Sequence, residues 1–246
     1  MTRYKLTIEY DGGPFVGWQR QDNGPSVQAA LEDAVLAFSG EAATVQGSGR
    51  TDAGVHATGQ VAHLDLAKDS NGQRVRDALN FHLKPHPVAV LTAEAVDEDF
   101  HARFSATRRA YLYRIVNRRA PLALDHGRAW FVPKALNTRA MQAGADLLLG
   151  HHDFSAFRAA DCQARSPMKT LDKLEVTREG DEISIIAAAR SFLYHQVRNM
   201  VGSLAWVGQG KWPPEMMGEV LTSRDRRKAG PSATAHGLYL TEVSYD

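Results

Sequence analysis

The apolar residues of this chain alternate in some segments and recur with helical spacing in others. Residues 3–10 read as a strand, and Asp11-Gly12-Gly13-Pro14 breaks it. Ser26 is placed to cap a helix carrying Val27, Leu31, Val35 and Phe38, which Gly40 stops. Strands are expected at 43–46 and 60–66, on either side of a glycine-rich turn. Asn71 caps a second helix through Val75, Leu79 and Leu83, ended by Pro85 and Pro87, and a strand follows at 88–96. Residues 107–117 alternate cleanly, with Tyr111, Tyr113 and Ile115 on one face. A helix starting near Asn137 uses Met141, Ala145, Leu148 and Leu149. Strands at 169–178 and 182–189 form a hairpin turning at Gly180-Asp181. A helix over 193–207, a short one after Pro213-Pro214 and a strand at 237–245 complete the pattern. Each half runs strand, helix, strands. Strands outnumber helices and several pair antiparallel, so the expected class is α+β, with halves 1–105 and 106–246 and the seam at 103–107.

Composition narrows the class further. The 246 residues are 43% hydrophobic and 23% charged, which fits a globular chain of one large or two modest domains. No run approaches the roughly 18 apolar residues of a membrane span, and charges interrupt the start where a signal peptide needs an apolar stretch. One cysteine, Cys162, leaves no internal disulfide framework. A cytoplasmic, soluble protein is expected. Lys and Arg total 29 against 28 Asp and Glu, so net charge alone predicts no polyanionic partner. Its distribution does more. From His101 to Arg119 there is no acid, while Arg103, Arg108, Arg109, Arg114, Arg118 and Arg119 all fall there. Arg224, Arg226, Arg227 and Lys228 form a second basic knot around Asp225. Such clusters either grip phosphates or form a solvated face.

The glycine-rich turn holds the candidate chemistry. Gly47-Ser48-Gly49-Arg50-Thr51-Asp52-Ala53-Gly54-Val55-His56-Ala57 lacks the Gly-Lys-Ser/Thr of a phosphate loop, the third glycine of a dinucleotide fingerprint, and the spaced carboxylates of a calcium loop. What remains is an aspartate on a tight turn beside an arginine, readable as a functional carboxylate or as an Asx-turn. His151, His152, Asp153 and Cys162 lack a zinc spacing, and helix capping accounts for Asp153. No metal site is expected.

The segment Arg50-Thr51-Asp52-Ala53-Gly54-Val55-His56-Ala57 resembles the signature of the TruA-like family of tRNA pseudouridine synthases. Further family-like stretches keep their order: Tyr10-Asp11-Gly12 with Gly17-Trp18-Gln19, residues 100–106, His152-Asp153-Phe154-Ser155-Ala156-Phe157, residues 191–200, and Gly237-Leu238-Tyr239-Leu240. The resemblance spans essentially the whole chain. It implies two similar α/β halves joined through a largely antiparallel mixed sheet, with helices packed outside and a basic central cleft.

It also implies a reaction. Uridine is isomerised by breaking the bond from ribose C1′ to N1, turning the base and rejoining it through C5, with neither redox cofactor nor nucleotide. Asp52 matches the family's catalytic aspartate. Arg198 matches the cation that pairs with it, keeping it ionised and aligned. Tyr111 matches the tyrosine that stacks on the extruded uracil, with a possible acid–base role, although a tyrosine on an alternating strand is ordinarily half-buried core. Leu238 resembles the apolar wall of the pocket. Arg50 either fills the space left by the base, holds a phosphate, or pairs with Asp52, and Arg103, Arg108 and Arg109 are candidate RNA contacts. Asp11, Gln19 and His56 are further candidates to line the cleft. Ala110 stands where some relatives carry a third basic residue. The implied substrate is tRNA, modified at positions 38, 39 and 40 of the anticodon stem-loop. The implied assembly is a homodimer whose two arginine strips serve one substrate. The competing readings are a non-catalytic RNA-binding protein and a nucleoside or glycoside hydrolase, the latter usually needing two carboxylates.

Overall fold

In a computed structural model, which describes residues 1–68 and 70–245, the elements follow in the order β1 (Thr2–Tyr10), α1 (Val27–Ser39), β2 (Gln46–Gly47), β3 (His56–Leu66), α2 (Gly72–His82) and β4 (Val88–Val96). Then come β5 (Arg108–Val116), β6 (Trp130–Phe131), α3 (Thr138–Asp146), β7 (Gly150–Asp153), β8 (Met168–Glu179), β9 (Glu182–Ala189), α4 (Gln196–Gly208), α5 (Met216–Ser223) and β10 (Leu238–Ser244). The class is α+β, with strands that pair mostly antiparallel. The chain divides into two compact units, one of Met1–Thr107 with the stretch from Tyr239 onward, the other of Arg108–Leu238.

In the first unit the strand order is β4-β1-β3-β10, with β2 added to β3. The alternation of β1 sets its register. Tyr4, Leu6 and Ile8 are fully buried, while Arg3, Lys5 and Thr7 turn to the partly open face. β1 runs antiparallel to both β3 and β4, pairing Leu6 with Ala62 and with Ala93. β10 runs parallel to β3, with Tyr239 opposite His56. Ser26 accepts from the Ala29 amide at the start of α1, and Gly40 closes it in the left-handed conformation. α1 packs on α2, and α2 on β4. Two boundaries differ from the sequence expectation. The strand expected at 43–46 shrinks to β2, and β3 begins four residues before 60, at His56, inside the glycine-rich segment.

In the second unit the order is β5-β9-β8-β7, with β6 parallel to β5. The β8–β9 hairpin turns at Gly180-Asp181, with Glu179 opposite Glu182. β5 lies antiparallel to β9, Tyr111 facing Ala187. α3 is capped by Asn137 and packs on β8 and α4. α4 is almost wholly buried, including Asn199 and Ser203. Asn199 donates to the Phe157 carbonyl at 2.8 Å, and Ser203 Oγ accepts from the Gly230 amide at 2.9 Å. Arg226 completes this lock, donating to Asn199 Oδ1 at 3.1 Å and to the Gly230 carbonyl at 3.0 Å. The second basic knot is therefore not one solvated face. Arg226 is structural, Arg227 chelates Asp225, and Arg224 approaches Asp153 at 3.3 Å.

Candidate active site

In the first unit the turn bearing Asp52 is clamped by main-chain contacts. Gly17 bridges Asp52 in antiparallel fashion, the Trp18 amide donates to the Thr51 carbonyl at 3.0 Å, and the Val55 amide closes the turn on the Asp52 carbonyl at 3.1 Å. Gly17 sits at φ 122°, where a Cβ would stand 2.7 Å from the Thr51 oxygen, so only glycine allows this approach. Trp18 covers Gly47, and Thr51 Oγ1 shares a buried hydrogen bond of 2.8 Å with the Tyr10 hydroxyl. Upstream, Ser48 donates to Gln60 Oε1 at 2.7 Å, and Gln60 returns a bond to the Gly49 carbonyl at 2.9 Å. Downstream, the buried His56 accepts from the Gly12 amide through Nδ1 at 3.0 Å and stacks on Tyr239 at 4.7 Å. The family-like stretches at 10–12 and 17–19 are thus what hold the Asp52 turn. Asp52 itself is half-buried and Arg50 is exposed. A half-buried carboxylate on a turn whose main chain is fixed from both sides starts from a defined backbone position, which suits a nucleophile.

In the second unit β5 carries two tyrosines on one face with different environments. Tyr113 is fully buried, donates to the Thr234 carbonyl at 2.8 Å, and burial pushes its hydroxyl pKa well above the usual range. Tyr111, two residues earlier, is only half-buried and meets Phe192 edge-on at 5.2 Å. A partly exposed ring braced edge-on by a second aromatic has the geometry of a stacking surface. Gly237 permits the neighbouring close packing, since a Cβ there would come within 2.7 Å of the Tyr113 ring. Leu238, the next residue, is buried at 5% exposure.

Arg198 lies in the first turn of α4, where a cation opposes the helix dipole. Two acceptors hold it there. Nε donates to the Ala233 carbonyl at 2.9 Å, and Nη1 lies 3.1 Å from His195 Nε2. His195 occupies the left-handed region at φ 60° as the helix cap. Sequence reasoning missed His195 as a support for Arg198; the i, i+3 spacing within His195-Gln196-Val197-Arg198 was the available signal. Of the other arginines, Arg103 is exposed and Arg108 half-buried. Arg109 is buried at 8% exposure and donates to the Arg190 carbonyl at 2.6 Å.

Asp153 ends β7 and accepts from the Ser155 amide at 2.9 Å, opening a short 3-10 turn, while Cys162 Sγ accepts from the Tyr194 amide. Among the described residues no three His, Cys, Asp or Glu side chains gather to hold a metal ion. No helix among them is long and apolar enough to cross a membrane.

A family model described as tRNA pseudouridine synthase matches residues 6–105 and 145–246. The tRNA pseudouridine synthase A of Paramagnetospirillum magneticum is 68% identical over 245 residues, covering 100% of this chain and 96% of that protein. The proteins of the same name from Afipia carboxidovorans and Rhodospirillum centenum are 61% and 60% identical, each covering 100% of both chains. The clamped aspartate, the half-open tyrosine and the doubly held arginine are therefore features of a chain that belongs to the tRNA pseudouridine synthases, a family of isomerases.

Proposed function

We propose that this protein converts uridine to pseudouridine at positions 38, 39 and 40 in the anticodon stem-loop of tRNAs, with Asp52 as nucleophile on a flipped-out uridine. The observation that carries this reading is the two-sided main-chain clamp on the Asp52 turn. The reaction breaks C1′–N1, forms C1′–C5, returns a proton to N1 and removes the one on C5, so atoms and electrons balance within the substrate. Attack at C1′, addition at C6 and elimination at the ribose all begin from an ionised carboxylate. Arg198 supplies a permanent positive charge for that carboxylate to work against, and a guanidinium does so at any working pH. Tyr111 stacks on the extruded base and stands near its C5 proton, and Leu238 contributes apolar wall. Arg50, Arg103 and Arg108 meet the RNA backbone. Arg109, tied to the Arg190 carbonyl, serves the RNA by fixing the start of β5. The protein works as a homodimer in the cytoplasm, each tRNA spanning two subunits, and needs no cofactor.

Carbodiimide-dependent primer extension on a transcribed tRNA incubated with the full chain tests the reading. Stops attributable to pseudouridine at 38–40 are expected. Pseudouridine only elsewhere would overturn the positions, and released free uracil would favour a hydrolase instead.

A further inference from the structure

Residues 101–105 form a rigid loop that holds a phenylalanine out into solvent. The His101 amide donates to Ser105 Oγ at 3.0 Å, and the Ser105 amide returns to the His101 carbonyl at 2.9 Å. His101 Nδ1 accepts from the amides of both Arg103 and Phe104, at 3.1 and 3.3 Å. Ala102 ties the loop inward, its amide donating to His63 Nδ1 at 3.2 Å and its carbonyl accepting from the Tyr245 hydroxyl at 2.8 Å. On this frame Phe104 is 71% exposed. Its ring lies 4.3 Å from the His101 ring at 40°, with the Arg103 guanidinium 5.8 Å from its centroid.

A single exposed apolar residue ordinarily needs no explanation. What sets Phe104 apart is the rigidity of its loop and the chemistry of its neighbours. These hydrogen bonds fix the backbone at Phe104, so the ring projects from an ordered loop. The contacts its ring makes with polar groups are with an imidazole and a guanidinium. A protein interface wants a contiguous apolar patch. One aromatic face beside one cation suits a nucleotide, with the ring under the base and the guanidinium near its phosphate.

We infer that Phe104 is a stacking platform for an unpaired base of the RNA substrate, with Arg103 holding the phosphate of that nucleotide. This assignment rests on tRNA being the substrate, but not on which uridine is modified. The ring face contributes contact area without charge, whereas Arg103 contributes charge. Their losses must therefore differ in salt dependence.

The test is the affinity of the full-length protein for a fluorescently labelled tRNA transcript at several salt concentrations. Phe104→Ala should weaken binding about tenfold or more with an unchanged salt slope, and Phe104→Trp should stay within about threefold of the parent. Arg103→Ala should reduce the slope of log Kd against log salt by about one. Binding by Phe104→Ala within twofold of the parent, or a Phe104→Trp protein as weak as the alanine variant, would overturn the platform. A lower sedimentation coefficient of RNA-free Phe104→Ala would overturn it too, by assigning the ring to contact between protein chains. Modification outside 38–40 would sink the positional reading while leaving the binding comparison to judge Phe104 on its own.

Discussion

His63 of β3 is 2% exposed, accepts from the Ala102 amide through Nδ1, and meets the His101 ring edge-on at 4.7 Å. Protonation would place a hydrogen on the nitrogen already occupied by that amide. Burial, then the nearby His101 and Arg3, lower its pKa to about 4. The unfolded chain, titrating near the ordinary 6.5, binds the proton first as pH falls. Stability is therefore independent of this group above about 6.5 and declines through the window down to about 4. The loss between pH 7 and pH 5 is about 2 kcal/mol. Urea midpoints across that range should fall more steeply for the wild-type protein than for His63→Asn, whose amide oxygen keeps an acceptor without a titrating ring. Equal slopes would refute this. At the same scale, short sequence motifs singled out Asp52 and Arg198 as candidates. His195, Arg226 and the burial of Arg109 were not legible in the sequence, because each depends on a carbonyl or side chain that folding brings close.

Among elements, the capped helices were the most readable. Ser26, Asn71 and Asn137 each accept from the amide three residues on, a contact set locally by sequence. Strands of two and four residues, β6 and β7, carry no detectable period and were missed. The early start of β3 was hidden for another reason: His56 and Ala57 pair with β10, nearly two hundred residues later. The Asp52 turn also depends on distant chain, and Gly17 is its most exacting support. Gly17→Ala would push a Cβ against the Thr51 carbonyl at a backbone angle alanine avoids, costing about 1–3 kcal/mol and shifting the turn. Gly49→Ala, which meets nothing within 4 Å, should leave stability near wild type. Thermal melts of the two variants check this, and equal losses would argue against the clamp.

Across the molecule, opposite charges nearly cancel, at a net charge of +1. The acid-free run at 101–119 is acid-free only in sequence, since Arg114 pairs with Glu182 at 2.8 Å and Asp125 at 3.1 Å. Glu182, held by that guanidinium, has its pKa lowered accordingly. Under the proposed function, RNA recognition rests on individual exposed groups such as Arg103 and Arg50 rather than on the overall charge. Catalysis, in this account, falls to one carboxylate. The direct test uses a tRNA transcript tritiated at uridine C5, since forming the C5–C1′ bond releases that hydrogen to water. With wild-type protein, tritium release should track pseudouridine formation. Asp52→Asn should bind the transcript within about threefold of wild type yet release tritium at least about 10⁴-fold more slowly. Release by Asp52→Asn at a rate comparable to wild type would contradict the assignment of Asp52 as the nucleophile.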